Sequence, residues 1–224
     1  MWSTDLKLAT DSGYRYAVVA KSWIATSGGA RYAPQCTNTD VSDHKDAALK
    51  LAHQATHDVL TGLPNRVLFQ DRLSQAMTQS TRNKSLMAVC YLDIDKFKSF
   101  NDSLGHAVGD ALLKAFSRRL LDCVRAVDTV ARLGGDEFAI ILSSVDSREN
   151  ACKVAEKIVR AIRPEFTIEY RSIQATTSLG IALYAGEPDI DAEQLLKSAD
   201  QALYEAKGAG RDYYQAAGGK PATV

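Results

Sequence analysis

The 224-residue chain has no excess of charge of either sign: Lys plus Arg and Asp plus Glu number 27 each. Without a net field it has no global attraction for nucleic acid or an anionic membrane, so any phosphate chemistry has to come from local charge. It also has no C-x-x-C pair. Its four cysteines, Cys36, Cys90, Cys123 and Cys152, are widely spaced, and Cys90 sits inside an apolar run. That usage fits reduced, mostly buried thiols in a cytosolic protein. No apolar stretch approaches the roughly 18 residues of a membrane span. The start, Met1-Trp2-Ser3-Thr4-Asp5, lacks a basic-then-apolar leader pattern. The expectation is a cytoplasmic segment with no membrane contact of its own, although a longer parent could be membrane-associated. There is no internal repeat and no low-complexity tract.

What is present is ordinary for a folded, globular chain: 46% hydrophobic and 24% charged residues, too apolar for a largely disordered one. Residues 14 to 26 and 31 to 41 read as strands around the turn signal Ser27-Gly28-Gly29. Helical spacing of Ala47, Ala48, Leu51 and Ala55 predicts a helix over about 42–56. A second helix is expected from Pro64 to about Thr81, with Pro64 in its first turn. Leu86 to Leu92 is continuously apolar, the pattern of a strand buried on both faces. A helix from about Val108 to Val124 would turn Leu112, Leu113, Phe116, Leu120 and Leu121 inward. Thr129–Leu133 and Phe138–Leu142 read as a hairpin joined by Gly-Gly. A helix over Arg148–Ile162, a strand over Ile173–Leu183 and a last helix over Ala192–Ala206 complete the order. The fold class is therefore α+β: a palm-like βαββαβ sheet with antiparallel pairs, flanked by helices, of the kind found in polymerases and nucleotide cyclases.

Two acidic motifs fall at strand ends. Asp93-Ile94-Asp95 closes the buried strand, which delivers a carboxylate to the sheet edge with little freedom, and Asp136-Glu137 follows the tight Gly134-Gly135 turn. Glycines there permit positive φ and let phosphates approach the backbone. Neighbouring strands would bring these carboxylates together, and unneutralised they would raise one another's pKa. Divalent cations resolve the conflict, and all-oxygen ligation favours Mg²⁺ or Mn²⁺ over zinc. Alone, D-x-D is more often a solvated turn and G-G-D-E a plain hairpin; Asn101-Asp102-x-x-Gly105-His106-x-x-Gly109-Asp110 between them changes the odds.

Asp58-x-Leu60-Thr61-Gly62-Leu63-Pro64-Asn65-Arg66, Asp93-Ile94-Asp95-x-Phe97-Lys98-x-x-Asn101-Asp102, Gly105-His106-x-x-Gly109-Asp110 and Arg132-x-Gly134-Gly135-Asp136-Glu137-Phe138 occur in the order and spacing of one family. Across residues 58–214 the chain resembles GGDEF-type diguanylate cyclases. The resemblance implies condensation of two GTP into cyclic di-GMP and two pyrophosphates, by attack of a ribose 3′-hydroxyl on an α-phosphate. It implies metals held by Asp93 and Asp136 with help from the Ile94 carbonyl. Glu137 would act as a further ligand or help deprotonate the hydroxyl.

By the same resemblance Asn101 and Asp110 read guanine. A carboxylate suits the base's N–H donors, which adenine lacks on that edge; the plain alternative is Asp110 capping the helix after it. Backbone N–H groups of the Phe97-Lys98 turn would face the phosphates. Lys207 and Arg211, in Lys207-Gly208-Ala209-Gly210-Arg211, match a K-x-x-G-[RK] ending that grips terminal phosphates; their bland reading is positive charge near a helix C-terminus. Arg125-Ala126-Val127-Asp128 matches an R-x-x-D inhibitory site for the product. His106 reads as structural.

Since each domain would hold one GTP, the active species is expected to be a homodimer. Residues 1–41 resemble the closing hairpin of a PAS sensor domain, or form an unrelated hairpin; 42–57 would be a linker helix and 215–224 a flexible tail. The rivals are a degenerate member of the same family that only binds nucleotide, and another nucleotidyl chemistry on the same palm.

Overall fold

The computed structural model describes residues 2–10, 13–25, 32–40 and 42–218. The chain divides into two compact units, Met1–Ala55 and Thr56–Val224.

In the first unit, β1 (Trp2–Thr10), β2 (Gly13–Ala25) and β3 (Tyr32–Asp40) form an antiparallel sheet with β2 in the middle. The two strands legible in the sequence are β2 and β3, and the expected turn at Ser27-Gly28-Gly29 lies outside the described residues. β1 was missed, although it pairs with β2 from Trp2↔Lys21 to Thr10↔Gly13. Helix α1 spans Ser42–Thr56.

The second unit is built on one five-stranded sheet. Its strands are β4 (Leu86–Ile94), β5 (Thr129–Gly134), β6 (Glu137–Val145), β9 (Thr177–Tyr184) and β10 (Tyr214–Ala216), in the order β10-β9-β4-β6-β5. β4 runs antiparallel to both neighbours, and β10 joins β9 in parallel. Four helices cover the sheet: α2 (Arg66–Asn83) and α6 (Ala192–Gly208) on one face, α4 (His106–Cys123) and α5 (Arg148–Ile162) on the other. This is the α+β, palm-like arrangement that the order of elements implied.

The unbroken apolar run of β4 now has its reason. Met87, Val89 and Tyr91 pack with Phe69, Leu73 and Met77 of α2 and Leu195, Ala199 and Leu203 of α6. Ala88, Cys90, Leu92 and Ile94 pack with Leu112, Leu113, Phe116 and Leu120 of α4 and with α5. Leu121, expected inside, is 49% exposed, because one step of about 100° turns it off the face that Leu120 buries. Cys90 and Cys123 are free and buried, and Cys152 is free and partly so.

Four elements besides β1 were not foreseen. α3 (Phe97–Leu104), read as a turn, is eight residues long and follows a left-handed Lys96 that supplies no side-chain cap. β7 (Phe166–Ile168) and β8 (Arg171–Ile173) are short strands, so the expected strand over 173–183 is split. β10 has three residues, too few for a periodic signal. Pro64 lies before α2 rather than in its first turn: Asn65 is the N-cap, accepting from the N–H groups of Val67 and Leu68.

α6 sits close on β9 because Gly180 has no side chain. A Cβ there would come 2.0 Å from the Ala199 carbonyl oxygen and 2.2 Å from the Leu203 nitrogen, so helix backbone occupies the space a side chain would need.

Candidate active site

β4 is held on both sides, which fixes its last residues. Asp93 pairs in register with Glu137 of β6 and with Ser178 of β9. The Thr177 hydroxyl donates to the Asp93 carbonyl at 2.6 Å. By strand alternation Asp93 falls on the Tyr91 side, facing α6, and Lys207 in the last turn of that helix makes an ion pair with its Oδ2. Its Oδ1 is buried and has no hydrogen-bond partner. Burial raises the Asp93 pKa above the ordinary carboxylate value; Lys207 partly opposes this, and Asp136 and Asp95 add to it.

Asp136 and Glu137 stand half-exposed at the start of β6. Glu137 faces Arg66 at the start of α2, with 3.4 Å between Nη2 and Oε2. Burial and the Glu137 carboxylate push the Tyr91 hydroxyl up to about 12. Among the described residues no group of three or more His, Cys, Asp or Glu is gathered tightly enough to hold a metal ion. What is present is a buried carboxylate oxygen without a partner, beside the negative charge of Asp136 and in a strand end that cannot retreat. A free carboxylate oxygen beside a second carboxylate, with Lys207 offsetting only part of the charge, is the hard donor type that a divalent cation such as Mg²⁺ takes. Ile94, whose carbonyl was expected to assist, is the last residue of β4 and is buried.

The Gly134–Gly135 turn is tied from outside by Arg132, a motif residue to which the sequence assigned no role. Its Nε and Nη2 donate to the Gly135 carbonyl at 3.0 and 2.7 Å. Its Nη1 donates to both carboxylate oxygens of Asp58, at 3.0 and 3.1 Å. Burial alone would raise the Asp58 pKa, but bonds from Thr61 and Arg132 outweigh it and hold it below the usual value. A planar fork that meets a carboxylate and a carbonyl at once is something lysine cannot reproduce.

α3 and α4 meet at the same end of the sheet. Asn101 lies on α3, and its Oδ1 is buried without a partner. It comes so near the first turns of α4 that a Cβ at Gly109 would be 1.9 Å from it. Asp110 is exposed on α4. The helix begins at His106 with Gly105 as its N-cap, so Asp110 is inside the helix and does not cap it. Phe97 and Lys98 open α3; the Phe97 ring is buried and the Lys98 side chain exposed.

Lys207 closes the last turn of α6 and Arg211 lies in the loop that follows; only Lys207 reaches the carboxylates. Arg211 is exposed, with a left-handed backbone at φ 68°.

Arg125 and Asp128 lie elsewhere. They line a cavity of about 370 Å³ together with Asn150, Val154 and Lys157 of α5. Asp128 shapes the turn itself, accepting from the Arg125 N–H at 2.9 Å and the Ser143 N–H at 3.2 Å. The six residues of β5 separate this cavity from the glycine turn, roughly 20 Å of extended chain.

Residues 55–213 match the family model described as "Diguanylate cyclase, GGDEF domain". The chain is 43% identical over 165 residues to the bifunctional diguanylate cyclase/cyclic di-GMP phosphodiesterase MucR of Pseudomonas aeruginosa, covering 74% of this chain and 24% of that protein. It is 42% identical over 164 residues to the diguanylate cyclase TpbB of the same species, covering 73% and 38%. It is also 34% identical over 214 residues to the cyclic di-GMP phosphodiesterase PdeR of Escherichia coli, covering 95% and 32%. The chain thus spans well under half the length of these relatives.

Among solved structures, the TpbB GGDEF domain superposes with a TM-score of 0.68 at 37% identity, covering 71% of this chain and 99% of that one. The coiled coil and GGDEF domain of DgcB from Caulobacter crescentus, in complex with c-di-GMP, gives 0.70 at 28% identity, covering 79% and 93%. The strand end bearing Asp93, the glycine turn tied by Arg132 and the α3–α4 junction thus sit on a sheet shared with these proteins, and the chain belongs to the GGDEF family of diguanylate cyclase domains.

Proposed function

We propose that this chain is a diguanylate cyclase, and that residues 58–214 carry the reaction. The observation that carries the reading is the buried, unpartnered Oδ1 of Asp93 beside the glycine turn, with the unpartnered Asn101 Oδ1 one short helix away. One end of the sheet thus offers an acceptor site for a cation and another for a base.

In this reading Asp93 and Asp136, with the Ile94 carbonyl, hold Mg²⁺ or Mn²⁺. When bound, the cation neutralises the phosphates and favours ionisation of the attacking hydroxyl. Asn101 and Asp110 orient guanine, the amides of Phe97 and Lys98 and the open Gly134–Gly135 turn receive phosphate oxygens, and Lys207 and Arg211 hold the outer phosphates. Glu137 accepts the 3′-hydroxyl proton or adds a ligand. The hydroxyl oxygen bonds to the α-phosphorus of the second GTP and pyrophosphate leaves; a second such step closes the ring. Because each domain holds one GTP, the working species is a homodimer.

No helix among the described residues is long and apolar enough to cross a membrane; we place this segment in the cytoplasm. We read residues 1–41 as the end of a PAS-type sensor and 42–57 as a linker helix; the flexible tail expected from 215 does not begin there, because Gln215 and Ala216 are buried in β10 and the Ala217 N–H donates to the Ile181 carbonyl.

A receptor role is the second reading, favoured by PdeR, a relative named for phosphodiesterase activity. Asp93, Asp136, Glu137, Asn101 and Asp110, all in place, favour catalysis. Incubation with GTP and Mg²⁺ followed by mass identification of the product decides: cyclic di-GMP supports the cyclase, and unreacted GTP supports the receptor.

Two further results are expected. Asp110→Ala lowers the preference for GTP over ATP by about 1.5–3 kcal/mol, the scale of hydrogen bonding to a charged group. Competition kinetics measure it, and an unchanged preference removes Asp110 from base recognition. Arg125→Ala relieves inhibition by added cyclic di-GMP while the initial rate stays near wild type, because β5 stands between the cavity and the glycine turn. Progress curves with and without product test this. Identical inhibition in both proteins would make the R-x-x-D match a coincidence, and an equal loss of initial rate would make Arg125 structural.

A further inference from the structure

Asp95, the second carboxylate of D-x-D, is 6% exposed and fully engaged within the protein. Its Oδ1 accepts from the Ser178 hydroxyl at 2.7 Å. Its Oδ2 accepts from the Thr176 hydroxyl at 2.7 Å and from the Asp212 N–H at 3.1 Å. Its own N–H donates to the Thr176 carbonyl at 3.0 Å. With three donors on two oxygens, this carboxylate already has its partners inside the chain.

The partner at Asp212 is the informative one. Arg211 and Asp212 both have left-handed backbones, at φ 68° and 51°, a conformation that persists in non-glycine residues only where the surroundings over-determine it. They do so here from two sides. Asp95 holds the Asp212 N–H, while Arg163 at the end of α5 donates through Nε to the Asp212 carboxylate at 3.0 and 3.2 Å and through Nη2 to its carbonyl at 3.2 Å. At the other end the loop leaves α6 through bonds from the Ala209 N–H to the Glu205 carbonyl and from the Arg211 N–H to the Ala206 carbonyl. Arg211 lies between these anchors, and Lys207 sits in the helical turn from which the loop departs; these are the two cations assigned above to the outer phosphates.

We infer that Asp95 is a positioning residue for the phosphate grip: it pins the loop that bears Arg211, just after the α6 turn that carries Lys207, to the strand end that carries Asp93. The inference rests on the cyclase reading. A charged acceptor is suited to the task because hydrogen bonds to a carboxylate are about twice as strong as neutral ones. Asp95 touches neither nucleotide nor metal in this scheme; it acts through the Asp212 amide, and Arg163 completes the clamp from the outside.

The test measures equilibrium binding of a non-hydrolysable GTP analogue and of GMP to the full chain, in wild type and three variants. GMP keeps the base and the first phosphate but lacks those that the loop would hold. Asp95→Ala should weaken the GTP analogue about tenfold or more, one charge-assisted contact's worth, with GMP affinity unchanged. Asp95→Asn keeps an acceptor for the Asp212 N–H and should stay within about threefold of wild type for both ligands. Arg163→Gln removes only the outer half of the clamp, at a partly exposed site, and should show the same selective loss to a smaller degree. It keeps the inference testable if Asp95→Ala does not fold. Equal losses for both ligands, or Arg163→Gln indistinguishable from wild type, would overturn it. A wild type that binds neither nucleotide would overturn the cyclase reading, and this inference with it.

Discussion

Asp93→Asn is expected to abolish product formation, by at least roughly 10³-fold, the scale on which removing a central electrostatic group acts, while leaving the protein as stable as before or more so. The two halves have one cause. Burial raises the Asp93 pKa, so above that raised value the ionised side chain works against folding; Asn keeps the shape without the charge. Lys207, which loses its partner, is 36% exposed and can be hydrated. The sign is checked by pH. The stability difference between variant and wild type should be largest near neutrality and fade as pH falls through the raised pKa, where Asp93 takes up its proton in the folded state. Thermal melts of the metal-free protein across pH, beside a turnover assay, measure both. Full turnover would sink the assignment, and a large loss of Tm would mean that Asp93 is structural. Glu137→Gln should also abolish turnover without unfolding the domain, since Glu137 is 46% exposed.

Gly180→Ala should have the largest effect on stability, about 3 kcal/mol or more. A methyl group at 2.0 Å from one backbone oxygen and 2.2 Å from a backbone nitrogen meets no flexible side chain that could move aside. The whole of α6 has to shift, and Lys207 shifts with it. The expected loss of Tm is roughly 6–12 °C for a domain of this size, accompanied by lost activity even where the protein stays folded. Urea denaturation checks it. A wild-type midpoint would mean that β9 and α6 are not packed as closely as described.

Much of the second unit was legible because its signals are local. The apolar run over Leu86–Leu92, the Gly-Gly hairpin and the periodic helices at Arg148–Ile162 and Ala192–Ala206 each carry their pattern within a dozen or so residues. α3 carries one as well, Phe97, Phe100 and Leu104 at helical spacing, but eight residues without a capping side chain are too few for it to stand out, and the close approach of Asn101 to Gly109 that seats it on α4 shows only in the fold. β10 exists only because β9 offers it a pairing edge. The site divides in the same way. The acidic motifs and the lysine-to-arginine ending could be quoted from the sequence, but what holds them could not. Arg132 reaches Asp58 across 74 positions, and Asp95 reaches Asp212 across 117. No spacing rule covers such distances, and roles for Arg132, Asp58, Arg163 and Asp212 emerge only once the chain is folded.

The borders of the five-stranded sheet bear on how copies of this chain can meet. At one border β10 has three residues, all buried. At the other, the Arg132 N–H of β5 already donates to the Pro64 carbonyl at 3.0 Å. Proline has no N–H to offer an incoming strand, and short or occupied edges are poor templates for further pairing. Self-association of the second unit is thereby steered away from continuous cross-chain sheets, which grow without limit. It is left to side-chain surfaces, whose contacts form and dissolve with concentration, as the proposed cyclase would require of two GTP-bearing copies that have to meet and part.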